Sequence, residues 1–234
     1  MDPAQSDLSL AGAPRAVSAL ARELLIAPAA AQPLADAPPI PLFDDLTHSR
    51  FPLTTSNPQA RRYFSQGLLL MYGFNHAGAI RSFRAAQRLD PACALCWWGE
   101  AVALGPNINA PMDAGDRGAA LAAMDRAIIL HDQASPMERG LIEAAALRYA
   151  RDPDADRAAL DGAYADAMLA LAARFPADDD VAVLAAEAAM DTSPWNYWEA
   201  DRKTPIGRAG AAIRLVETVQ ARNPAHVQAA HLMI

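Results

Sequence analysis

The sequence predicts an all-α protein: a solenoid of about four stacked antiparallel helix hairpins with a shortened helix at its end. Three observations predict it. Apolar residues recur at spacings of three and four and nowhere alternate, the mark of helices with one buried face. Alanine dominates the apolar fraction while aromatic residues make up only 6%, a balance that suits close-packed helices better than sheets. Stretches of similar length end alike on proline, "RAAQRLDP" at Pro91, "LALAARFP" at Pro176 and "VETVQARNP" at Pro224. A regular stop at regular spacing is a repeat signal.

The chain has 234 residues and a formal net charge of −7, enough length for one sizeable core and the wrong sign for a phosphate-backbone partner. Nucleic acid is therefore not expected. No apolar run approaches the roughly 18 to 20 residues of a bilayer span, so no membrane span is expected either. Residues 1–54 differ from the rest. "APAAAQPLADAPPIPLF" is rich in Pro and Ala without a period, and predicts an extended, mostly disordered leader. Within it "ALARELLIAPAAAQ" has the form of a degenerate secretory signal with cleavage after Ala31. Arg22 and Glu23 interrupt its apolar core, and Asp2 and Asp7 stand where positive charge belongs. A cytoplasmic location is favoured over export on that ground.

Residues 55–234 form the predicted helical domain. "SNPQ" at 56–59 and "SPME" at 135–138 place Ser as N-cap with Gln or Glu three residues on, and "TP" at 204–205 places Pro at a first helical position. Helices are predicted near 57–73, 76–89, 92–105, 116–131, 136–150, 156–174, 179–190, 205–222 and from 225 to the end. In the first pair, Tyr63 and Gly67 are followed by Ala79, Phe83 and Ala86, and the unit of about 34 residues closes on Pro91. Ala94, Trp97 and Ala101 begin the next unit, and Ala120, Met124 and Ala127 resume it after an insertion. Ala186, Ala212 and Val216 mark weaker copies.

This spacing of large, small, small, large, small and Pro resembles the tetratricopeptide repeat, and "GFNHAGAIRSFRAAQRLDP" with "WWGEAVALGPNIN" is similar to bacterial members of that family. The resemblance covers roughly residues 60–230 and is strongest in its first third. It implies stacked hairpins with a concave groove lined by the first helix of each pair, and binding of a peptide or protein segment there without catalysis. Arg61, Phe64, Leu68, Tyr72, Leu95, Trp98 and Val102 are the expected lining. Glu100 and Glu187, each in an otherwise apolar first helix, either face the groove, where they would select a basic ligand or join a histidine in binding a metal, or simply face water.

Two segments break the repeat. "GPNINAPMDAGD" at 105–116 carries Asn107 and Asn109, short amides able to brace a loop. "DTSPWNYWEADRKTP" at 191–205 carries Trp195, Tyr197 and Trp198, aromatics with polar tips that anchor a partner or cap the array. Chemistry is sparse. Cys93 and Cys96 form a C-x-x-C at a helix start, a redox pair or half a metal site, or packed thiols. His76 sits in a tight turn. His226 and His231 lie about 140° apart around a helix and make poor joint ligands. No nucleophile elbow, phosphate loop or dinucleotide fingerprint occurs. A non-enzymatic scaffold without cofactor is the expectation. Its rival is a metal-binding or redox protein using Cys93, Cys96, Glu100, Glu187 and His231. Leu232, Met233 and Ile234 end the sequence on bare apolar side chains, which predicts self-association through that end or a chain that continues.

Overall fold

Pro58 opens the first helix, because its fixed φ suits a first turn and its missing amide would have found no partner there. The cap is Asn57, one residue later than the predicted Ser56; its Oδ1 accepts the amides of Gln59 and Ala60 at 3.0 and 3.1 Å. A computed structural model describes residues 40–46 and 49–233 of the chain. Among these are nine α-helices: α1 Pro58–Tyr72, α2 His76–Leu89, α3 Ala94–Leu104, α4 Arg117–Ile129, α5 Pro136–Ala146, α6 Arg157–Arg174, α7 Asp179–Met190, α8 Ala209–Arg222 and α9 Val227–Leu232. The described residues contain no β-strand. Each helix stands where the periodicity put one. Ser135 caps α5 in a full capping box with Glu138. The exception is Thr204–Pro205, which opens no helix: Pro205 pairs with Trp198 in an isolated bridge, and α8 begins at Ala209.

Helices pack with their neighbours in sequence, and α1 also meets α3, α3 meets α5, and α7 meets α9. The tightest approach is at Phe83 on α2. A Cβ added to Gly67 on α1 would lie 2.7 Å from the Phe83 ring, and one added to Gly99 on α3 would lie 2.5 Å from it. Three helices therefore close on one buried ring because two of them have no side chain at that level. Phe64 continues the stack at 5.6 Å from Phe83, and Phe51 lies 5.4 Å beyond it.

Phe51 lies inside the predicted leader. Ile40, Phe51 and Leu53 are buried, so described residues before position 55 pack with the helices. Side chains of the helices satisfy the extended backbone: Gln66 accepts the Phe43 amide at 2.8 Å and donates to the Pro41 carbonyl at 2.9 Å. Glu138, itself buried, accepts the Thr54 amide at 2.7 Å. Three apolar residues spread over fourteen positions make no periodic signal, which is why composition hid this segment. Residues 1–39, with the signal-like stretch, lie outside the described residues. No described helix is long and apolar enough to cross a membrane.

Gly99→Ala must displace Phe83 or part α2 from α3, and is expected to lower unfolding free energy by about 1–3 kcal/mol in urea titration. Gly118→Ala, where an added Cβ meets nothing within 4 Å, is the control and loses no stability.

Candidate functional site

The turn after α1 sets the site's geometry. The Phe74 amide donates to the Met71 carbonyl at 2.9 Å and the Asn75 amide to the Leu70 carbonyl at 2.8 Å, the paired bonds of a Schellman stop. The left-handed position of that stop, normally glycine, is held by Phe74 at φ 56°, while Gly73 just before it has an ordinary φ of −87°. A left-handed backbone costs a residue with a Cβ about 1–2 kcal/mol. Its ring meets His231 edge-on at 4.6 Å.

The 191–208 connection repeats the pattern. Asn196 donates to the Ser193 carbonyl at 3.0 Å, closing a turn with Pro194 second and Trp195 third at φ 61°. That is the type II arrangement, whose third position favours glycine. Trp195 is nevertheless 71% exposed. The segment beyond it is braced rather than loose: Glu199 donates to the Thr204 carbonyl at 2.8 Å, Ile206 to the Tyr197 carbonyl at 2.9 Å, and Asp201 accepts the Lys203 and Thr204 amides. In the other interrupting loop, Asn107 Oδ1 accepts the amides of Asn109 and Ala110 at 2.9 and 3.2 Å. Asn107 is the brace, and the Asn109 side chain is left to face outward.

Helix α9 completes the site. With six residues it is too short to stand alone, and polar links hold it. His226 caps it and approaches Asp180 at 3.4 Å; buried Gln228 donates to Glu187 at 3.0 Å; His231 Nδ1 donates to the Tyr72 carbonyl at 2.8 Å. Tyr72 in turn donates from its hydroxyl to Asp180 at 2.7 Å. The end of the chain is thereby fastened to the end of α1. Between them lies an open cavity of about 520 Å³ whose walls come from Phe74, Ile108, Met190, Trp195, Tyr197, Trp198, α8 and the last residues of α9. Asn109, Tyr197, Glu217 and His231 are the polar residues of its lining, with the indole edges of Trp195 and Trp198.

Behind the cavity, buried Arg148 binds Asp161 at 2.9 Å and Asp191 at 2.6 Å, and lies over the Tyr164 ring at 4.7 Å. Burial, with the Asp191 charge adding to it, raises the pKa of Glu187; the nearby Arg148 opposes the shift. Asp191 is also raised by burial, against the pull of Arg148. Burial lowers the pKa of His76, the first residue of α2, whose Nδ1 faces the Ala103 carbonyl at 3.2 Å.

The residues expected to line a groove lie elsewhere than on an open wall. Phe64, Leu68, Tyr72, Leu95 and Trp98 are buried in the core, Val102 is half-buried, and Arg61 is exposed and donates to the Thr55 carbonyl. Glu100, 5% exposed, is held by Arg84 and Gln87 of α2, each at 2.6 Å. α9 packs on α1, and α3 is enclosed by α1, α2, α4 and α5, so these side chains face neighbouring helices. Cys93 and Cys96 are buried and joined as a disulfide across the first turn of α3. Among the described residues no three His, Cys, Asp or Glu side chains are grouped to hold a metal, and Glu100, Glu187 and His231 each have a different partner. Asn109, Trp195 and Trp198 meet at the cavity. Phe74, Glu217, Arg148 and Asp191 were not singled out from sequence; only Phe74 carried a signal, a glycine one place short of where the turn needs it.

Compared with protein-family models, curated proteins and solved structures, the chain matches none of them.

Because Glu187 holds its proton more tightly folded than unfolded, the folded state gains protons relative to the unfolded one above the ordinary glutamate pKa of about 4.3. Stability from this group is full below that pH and is lost as pH rises through the raised value. Glu187→Gln keeps an acceptor for Gln228 and removes the slope. Urea titrations from pH 4 to 9 should show the variant gaining on the parent as pH rises; a constant difference counts against the shift.

Proposed function

We propose that the chain is a tetratricopeptide-type scaffold that binds a peptide segment, and that the segment docks at the aromatic cavity. Support for the repeat is the pairing of successive helices, the contacts between alternate ones, and the small residues at the Phe83 seam. The observation that carries the binding site is convergence: both segments that interrupt the repeat supply walls of the same cavity, Ile108 and Asn109 from one, Trp195, Tyr197 and Trp198 from the other. About 520 Å³ is the size of a ligand site. Trp195, Trp198 (45% exposed) and Met233 (54%) extend apolar surface past the rim, so the fitting partner is longer than the cavity. An extended chain that sinks one or two side chains answers both facts. Compared with a groove along the first helices, the proposed docking place moves to the cavity walled by the two interrupting segments.

Trp195→Gly separates binding from stability. Relief of the left-handed backbone, about 1–2 kcal/mol, outweighs the roughly 0.5–1 kcal/mol of added freedom in the unfolded chain. The variant is expected to unfold at equal or higher urea while losing most affinity for labelled peptides in fluorescence anisotropy. Unchanged affinity in Trp195→Gly and in Trp198→Ala would remove the cavity from the proposal.

A further inference from the structure

We infer that the side chain this cavity accepts is basic, a lysine or arginine beside an apolar residue; this rests on the peptide-binding proposal above. The lining contains one formally charged residue, Glu217, and neither Lys nor Arg. Glu217 is exposed on α8 and has no hydrogen-bond or ion-pair partner among the described residues. Of the cations nearby, Arg208 binds Asp166 through two bonds at 2.7 and 2.8 Å and Arg222 binds Asp179, while Arg202, Lys203 and Arg214 stand outside the lining. His231, held through Nδ1 by the Tyr72 carbonyl, stands in the same lining.

The rest of the wall is aromatic. Phe74, Trp195, Tyr197 and Trp198 supply four rings, and ring faces, tryptophan above all, attract ammonium and guanidinium groups. The Glu217 carboxylate and the ring faces around an apolar hollow suit an aliphatic stem ending in a cation, and repel a carboxylate or phosphate. The formal charge of −7 over the chain draws a basic segment toward it at low salt.

The test uses the full chain and capped hexapeptide libraries in which one position is lysine, arginine, norleucine or glutamate and the others are mixed. Binding is read by calorimetry. Lysine and arginine libraries are expected to bind about tenfold tighter than norleucine, with glutamate weakest. Glu217→Gln, an exposed change whose folding is checked by its urea midpoint, should narrow the lysine-to-norleucine ratio severalfold, and added salt should do the same. Equal binding of lysine and norleucine libraries, or a ratio untouched by Glu217→Gln, overturns the basic anchor and leaves peptide binding standing. Failure of all four libraries to bind overturns the peptide proposal itself.

Discussion

The Phe83 ring, enclosed by Gly67 on α1 and Gly99 on α3, is the contact on which the other arrangements depend. Two absent side chains let three helix backbones come within one ring's thickness, a fit that any added methyl group spoils. The same helix α1 carries, at its end, the Tyr72 carbonyl and the Phe74 turn on which α9 settles. One helix thus joins the Phe83 seam to a wall of the cavity.

A second kind of anchor works behind the cavity. Arg148, Asp161 and Asp191 are buried charges, and removing charges from water costs several kcal/mol each before their attraction offsets it. An apolar cluster of equal volume would hold α6 and α7 together at least as firmly. What an ion pair adds is direction: Arg148 reaches Asp161 on α6 through Nε and Asp191 at the end of α7 through Nη2, so the two helices meet in one register. Met190 and Trp195 flank Asp191 in sequence, and fixing that carboxylate fixes the root of the aromatic loop.

Much of the helical order was legible because local chemistry writes it. Proline at 58 and 136, side-chain caps and apolar spacing mark starts, and prolines at 91, 176 and 224 mark stops. Local signals also misled where two were adjacent. Ser56 and Asn57 are both residue types that cap, and the residue before proline caps because Pro58 occupies the first turn. The site was harder to read. Periodicity tells that Phe64, Leu68 and Leu95 face inward, but not whether a later helix covers them. His231 meets Tyr72 across 159 positions, a distance over which no sequence pattern reports. The sequence does not reveal the partners of Glu100, Arg84 and Gln87, because they belong to the preceding helix. Residues 40–55 were hidden for a related reason, since their hydrogen bonds go to side chains rather than to a ladder.

Backbone strain at the cavity has a common form. Phe74 and Trp195 each hold the left-handed position of a tight turn, and each follows a residue that suits the turn, Gly73 in one case and Pro194 in the other. A glycine at either position would relax the backbone, and neither turn needs a ring to close. The Phe74 ring recovers part of the cost by packing on His231, whereas Trp195, largely exposed, recovers little within the chain. On the docking proposal, a peptide covering the Trp195 ring would supply contact energy that offsets this cost. The same account explains why the loop bearing Trp195 is stiffened by Asp201 and by its backbone bonds. An aromatic held rigid before binding loses less freedom on binding than one that must be ordered by its partner.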